Sequence, residues 1–256
     1  MTQVGRAPIP CLGALIWMLP AIGLSRLHTQ FEGSLASSGV PALDKVLAGA
    51  GYPDKSTVLV VGPPGIGKEA LGYWFAQSGL AQGEFCLYVT RLSVSEVLQD
   101  QKGFGIEGRS APFWMASEGG QVKYDVNDLA GLSFRIKEVL KQNGQSRMRV
   151  VIDSLSSLLM LNPPETIYKF LTQLFADIKQ YDVVLLATLE EGMHKPEVLA
   201  AMQQLFDGVV EMRLYEEGLS VIPLLRVRKM RGLPPHPAYY NFSFTRTGME
   251  VSAYGK

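Results

Sequence analysis

The chain has 256 residues, 47% hydrophobic and 19% charged, enough for one α/β domain with a large core or for a domain with a small appendage. Lysine plus arginine equals aspartate plus glutamate at 24 each, which excludes a global electrostatic pull toward nucleic acid or anionic lipid. The two cysteines lie far apart, and Cys86, inside the apolar run FCLYV, reads as a buried free thiol, which points to a reducing, cytoplasmic setting. His28, His194 and His236 have no cysteine or carboxylate at metal-ligand spacing and read as solvated or loop residues.

In chain order, residues 9–24 (IPCLGALIWMLPAIGL) form an uncharged run flanked by Arg6 and Arg26. A spanning helix wants about 20 apolar residues, and Pro10, Gly13, Pro20 and Gly23 interrupt this shorter one. Three readings stay open: a packed or poorly ordered extension, a membrane-associating segment, and an export signal, the last opposed by the free thiols. Residues 1–36 are therefore set apart as an N-terminal extension from a domain at 37–256. That domain opens with a serine pair, Ser37 and Ser38, read as a helix cap, a short amphipathic helix in PALDKVLAG, and a turn at GYPDKS.

Four β-formers, Val58 to Val61, then lead into Gly62, Pro63, Pro64, Gly65, Ile66, Gly67 and Lys68, which match all but the last position of the phosphate-binding pattern G-x-x-x-x-G-K-[ST]. Glycines let successive N–H groups face an anion, the following helix points its positive end at it, and Lys68 reaches the outer phosphates. The cradle thus runs from Gly62 to Glu69 and Ala70, with ATP or ADP as the expected ligand. Its last position normally carries a hydroxyl that ligates the Mg²⁺ riding on the nucleotide. Here it is Glu69, a second anion beside the phosphates.

The helix from Lys68 to Ser78 carries Leu71, Trp74 and Phe75 at core spacing, and Phe85 to Thr90 reads as a buried parallel strand. Gly103 to Gly108, GFGIEG, matches a dinucleotide fingerprint in letters only, because it follows a helix-like stretch and leads into a strand. A helix over Asp125 to Asn143 precedes the strand Arg149 to Asp153. An acid ending a buried strand is costly unless it meets a cation or a polar cleft, so Asp153 is the candidate metal-side carboxylate. A helix over Pro163 to Tyr181 and a strand over Val183 to Thr188 follow, with Glu190 and Glu191 directly after, at the edge where a nucleotide cleft lies. Beyond a helix over Glu197 to Phe206 and a strand from Gly208 to Arg213, the tail reads as antiparallel strands over Leu219 to Lys229 and Ala238 to Val251.

With these residues in view the chain resembles the KaiC and RecA/RadA group of P-loop ATPases, over about Ser37 to Val251. The resemblance rests on SSGVPALDKVLAGAGYP, GPPGIGK, GEFCLYVT, RVVIDSLSSLL and LLRVRKMRGLPPHPAYYNFSFTRTGMEV. It implies an α/β, RecA-like P-loop fold: a mostly parallel central sheet flanked by helices, with C-terminal antiparallel strands and ring or filament assembly. It further implies that Lys229 and Arg231 reach the nucleotide of a neighbouring subunit. Two departures matter. The magnesium-binding hydroxyl is Glu69, and the family's water-activating glutamate pair falls on Leu92 and Ser93, neither of which is a general base at neutral pH. Glu96, Glu190 and Glu191 are the acids left as catalytic candidates.

The expected function is a nucleotide-binding, regulatory or scaffolding protein with weakened turnover, assembling with itself or with a regulatory partner. An active ATPase switch or motor is the alternative. A recombinase-like DNA binder is the remote one, since only RVRKMR, Arg226 to Arg231, is basic. Membrane association through residues 9–24 remains open.

Overall fold

The computed structural model describes residues 34–255 except 48, 50, 107–110, 235–237 and 246–247. The apolar run at 9–24, Cys11, His28 and His236 lie outside the described residues. In chain order the elements are β1 (Leu35–Ala36), α1 (Pro41–Val46), β2 (Tyr52–Pro53), β3 (Thr57–Gly62), α2 (Lys68–Ala81), β4 (Phe85–Thr90), α3 (Val94–Gly103), β5 (Phe113–Ala116), β6 (Val122–Lys123) and α4 (Leu129–Asn143). Then follow β7 (Met148–Asp153), α5 (Leu155–Leu161), α6 (Pro164–Ile178), β8 (Val183–Glu190), α7 (Pro196–Leu205), β9 (Gly208–Glu217), β10 (Ser220–Met230), β11 (Tyr240–Thr245) and β12 (Gly248–Ala253).

Ten strands make one sheet in the order β12-β11-β10-β9-β3-β8-β7-β4-β5-β6, and β1 pairs with β2 apart from it. From β9 to β6 every pairing is parallel, whereas β10, β11 and β12 extend the sheet antiparallel. Alternation along the parallel strands divides the core. Leu59, Val61, Leu87, Val89, Val150, Ile152, Leu185 and Ala187 pack against α4, α5, α6 and α7. Val58, Val60, Tyr88, Val151, Val184 and Leu186 pack under α1, α2 and α3. Both faces being covered, these strands are apolar throughout, as parallel strands must be. Helix α2 lies close on its face because Gly72 presents no side chain: a Cβ there would meet Val151 at 3.1 Å and the Tyr88 hydroxyl at 3.4 Å.

Several boundaries differ from the sequence reading. Ser37 and Ser38 do not cap α1, whose N-cap is Val40. Instead the Asp44 carboxylate reaches back, accepting from Ser37 Oγ at 2.6 Å and from the Ser38 N–H at 2.7 Å. Helix α4 begins at Leu129, where Asp128 accepts from the Gly131 N–H at 2.8 Å, a better start than Asp125 because the side chain satisfies a free donor of the first turn. Strand β8 runs on to Glu190, since β3 stays paired with it beyond the end of its β7 pairing and its last residue lies opposite Gly62. Strand β9 likewise continues past Arg213 to Glu217, held by antiparallel β10. Cys86 is buried and free, donates to the Ala76 carbonyl at 3.3 Å, and is pushed up to about 12 by burial. Among the described residues no helix is long and apolar enough to cross a membrane.

Candidate functional site

Strand, turn and helix follow one another as the phosphate-loop reading requires: β3 ends at Gly62 and α2 starts at Lys68. Gly65 and Gly67 hold φ of +75° and +86°, a left-handed backbone that side chains resist, and Gly67 is the N-cap of α2. The first N–H groups of a helix have no partner four residues back, so this turn would offer an anion backbone donors and a positive dipole end, although the Ile66 and Ala70 N–H groups donate to the Pro63 and Gly67 carbonyls.

Alternation decides what faces the turn. Tyr88, Asp153, Thr188 and Glu190 all end up on the α2 face of the sheet, toward the C-terminal ends of their strands, and β8 lies between β3 and β7. Lys68, with no exposed surface, is ion-paired with Glu190 Oε2 at 2.6 Å and with Glu69 Oε1 at 3.1 Å, and its Nζ donates to the Pro63 carbonyl at 3.4 Å. Glu69 therefore lies on the phosphate-loop lysine itself. Asp153 accepts from Thr188 Oγ1 at 2.7 Å and from the Tyr88 hydroxyl at 3.3 Å. Burial raises its pKa to about 6; the Glu69 charge adds to the rise, while the Thr188 bond opposes it. The hydroxyls of Tyr88 and Tyr73, whose rings stack 5.9 Å apart, are also held above their ordinary range, chiefly by burial and next by Asp153.

The remaining acids occupy different surroundings. Glu191 donates its N–H to the Gly62 carbonyl at 2.8 Å, with its carboxylate 3.9 Å from Arg213. Glu96 closes a capping box on α3: its carboxylate takes the Ser93 N–H and hydroxyl, each at 2.7 Å, and the Ser93 Oγ accepts the Glu96 N–H. Those bonds hold the Glu96 carboxyl below its usual range. Ser93, at one position of the expected glutamate pair, is thus a helix cap, and Leu92 packs against the core under α2.

Sequence reasoning passed over Tyr88, Thr188, Ser156 and His194. The first two were legible as polar letters in phase with Asp153 inside apolar strands. Ser156 and His194 were not, because their contact joins α5 to the turn before α7. There the His194 Nε2 lies 2.9 Å from Ser156 Oγ, which also accepts the Glu190 N–H at 2.9 Å. His194 is a loop residue, as expected, but half-buried, and burial lowers its pKa.

Lys229 and Arg231 stand elsewhere. Strand β10 brings Met230 opposite Gly208, and Gly208 lies opposite Val58, so both cations sit at the end of the sheet away from the turn. Lys229 donates to the carbonyls of Gln203 and Gln204, closing α7, and Arg231 pairs with Asp207 at 2.8 Å. They are too far along the strands to serve their own chain's cradle.

The phosphate-loop geometry and this strand order agree with a family model described as the KaiC ATPase, which matches residues 36–256. The chain belongs to the KaiC ATPase family. Among its relatives, the UPF0273 protein of Methanopyrus kandleri is 29% identical over 236 residues, covering 84% of this chain and 90% of that one. The UPF0273 protein of Pyrococcus furiosus is 28% identical over 84% of this chain and 92% of its own. The circadian clock protein KaiC3 of Synechocystis is 25% identical over 97% of this chain, which spans 50% of that longer protein.

A nucleotide's phosphates fit this KaiC-family turn, whose two left-handed glycines and buried lysine make an anion cradle. A magnesium ion fits less well. Glu69 replaces the hydroxyl and is tied to Lys68, both Asp153 oxygens accept hydrogen bonds, and no group of three His, Cys, Asp or Glu among the described residues is placed to hold a metal. Any ion here would have to draw most of its ligands from the nucleotide it accompanies.

Proposed function

We propose that this KaiC-family protein binds ATP or ADP through Gly62 to Ala70 and acts as a regulatory or scaffolding subunit in the cytoplasm, with little or no hydrolysis. The observation that carries this reading is the pairing of an intact cradle with a disabled catalytic surround. Lys68 is buried at the mouth of a left-handed glycine turn, yet two carboxylates hold it, and the positions where water activation is expected are an apolar contact and a helix cap. General-base assistance is typically worth about 10² to 10⁴ in rate, so its loss alone turns an enzyme into a slow one. A fluorescent ATP analogue titrated with and without Mg²⁺, against the Lys68→Ala variant, tests binding, and steady-state phosphate release tests turnover. Equal absence of binding in both proteins would remove the reading; robust phosphate release lost in Lys68→Ala would replace it with an active ATPase using Glu190 or Glu191.

Assembly belongs to the same proposal. Because Lys229 and Arg231 lie at the far end of the sheet from their own cradle, they have no role toward its nucleotide, and to reach a neighbouring chain's they would exchange the α7 carbonyls and Asp207 for its phosphates. Burial lowers the Lys229 pKa, a state that an incoming phosphate would reverse. Nucleotide should then favour a homo-oligomer, and light scattering that finds a monomer at high protein and nucleotide concentration would refute the trans contact.

A further inference from the structure

Lys68 carries three N–H donors on an ammonium with no exposed surface, so all three must be met inside the chain. Three acceptors surround its Nζ: Glu190 Oε2 at 2.6 Å, Glu69 Oε1 at 3.1 Å and the Pro63 carbonyl at 3.4 Å. The count closes, and a phosphate oxygen reaches this lysine only by taking the place of one of the three. The lysine of a phosphate loop reaches both outer phosphates of a triphosphate, β and γ, whereas a diphosphate ends at β and asks for one contact fewer. Which acceptors yield therefore decides how long a phosphate chain the cradle holds.

The two carboxylates are held differently. Glu69 stands in the first turn of α2 with its side chain 29% exposed, and rotation about its own bonds takes the carboxylate into water. Glu190 is 17% exposed, makes the shorter contact, and is pinned by its backbone. It ends β8 opposite Gly62 and donates its N–H to Ser156 Oγ at 2.9 Å, while the Glu191 N–H goes to the Gly62 carbonyl at 2.8 Å. Ser156 is itself buried and lies 2.9 Å from His194 Nε2. Glu190 is thus tied to β3, to α5 and to the turn before α7, and Glu69 is tied to nothing but the lysine among the bonds described.

We propose that Glu190 makes the cradle selective for a nucleoside diphosphate: its carboxylate keeps the contact on Lys68 that a γ-phosphate needs, while Glu69 gives way to the β-phosphate. This rests on the nucleotide-binding reading above and names its ligand. Two anions sharing one ammonium lie about 4 Å apart, and like charges at that distance in a partly buried site cost about tenfold or more in affinity.

The test is calorimetric titration of ADP, ATP, pyrophosphate and tripolyphosphate into the wild type, Glu190→Gln, Glu69→Gln and Lys68→Ala, in EDTA so that no divalent cation masks the charges. The wild type is expected to bind ADP about tenfold or more tightly than ATP, and pyrophosphate more tightly than tripolyphosphate. Glu190→Gln should raise ATP affinity about tenfold more than ADP affinity, Glu69→Gln should raise both alike, and Lys68→Ala should lose both. The wild-type ratio needs no variant and stands even if one of them fails to fold. Lys68-dependent binding with ATP held as tightly as ADP, or more so, would overturn the selectivity and leave the cradle intact. Equal gains for ADP and ATP in Glu190→Gln would overturn it too, making Glu190 a general competitor for the lysine. No binding of any of the four anions by the wild type would overturn the nucleotide reading and this inference together.

Discussion

Replacing Lys68 by methionine should separate what this lysine does for the fold from what it does for a ligand. Its ammonium has no exposed surface and faces Glu190 at 2.6 Å and Glu69 at 3.1 Å, whose side chains are 17% and 29% exposed. Removing one member of a fully buried ion pair costs about 3 to 5 kcal/mol, because a charge is left without a partner in a poor solvent. The two carboxylates here keep some water and can turn toward it, so about 1 to 3 kcal/mol is the expected loss. For a chain of this size each kcal/mol lowers Tm by about 2 to 4 °C. Adding Glu190→Gln should return most of that loss, since the amide carries no charge to strand, and the double-mutant cycle should show a coupling of about 1 kcal/mol or more. Nucleotide binding should stay absent in both. Urea unfolding at pH 7 of the wild type, the two single variants and the double variant measures every term. If Lys68→Met unfolds at the wild-type midpoint, or if Glu190→Gln fails to rescue it, the ion pair is not what holds this end of the sheet.

Glu69→Thr removes one of the two carboxylates on Lys68 and restores a hydroxyl, so it should tighten Mg²⁺-dependent ATP binding with little turnover, while adding Leu92→Glu and Ser93→Glu should give measurable phosphate release. The triple variant also loses the α3 cap, which should cost about 1 kcal/mol of stability and appear in the same melting experiment. Asp153 carries a raised pKa of about 6 against 3.8 unfolded, so the native state holds the extra proton between those values and this group's contribution to stability declines as pH rises through that window. Asp153→Asn should accordingly gain stability over wild type at pH 7.5 and not at pH 4, as compared by urea midpoints; a constant difference at both would refute the assignment. Arg149 is fully buried, paired with Glu84 and donating to the carbonyls of Ser37 at 2.6 Å and Phe75 at 2.8 Å, so Arg149→Met should cost about 3 kcal/mol or more, read as a lowered urea midpoint; an unchanged midpoint would refute it.

Local chemistry was readable in the letters. An apolar strand, a glycine turn and a lysine opening a helix are enforced by φ preferences and by the need to satisfy N–H groups, which depend on neighbours in sequence; the phosphate loop and every parallel strand of the sheet from β3 to β9 except the short β6 were legible for that reason. Asp153 was legible too, because a charge at the end of a buried strand is conspicuous. Boundaries set by distant partners were not. Glu190 belongs to β8 because β3 pairs with that strand as far as Gly62, and the serine pair before α1 serves Asp44 rather than the helix end.

The sequence by itself therefore determined the strand, glycine turn and helix around Gly62 to Lys68 and the two covered faces of the sheet, which follow from residue type and short spacing, whereas the missing glutamates at Leu92 and Ser93 were read only against the family resemblance. Only the tertiary structure decided which groups meet at the cradle. Strand order puts Glu190 beside Gly62 and onto Lys68, and alternation aims Tyr88 and Thr188 at Asp153. A hairpin more than 170 residues downstream of Gly67 lays Phe244 against it. Such contacts depend on how strands cross over and pair, and no pattern confined to one stretch of chain encodes them.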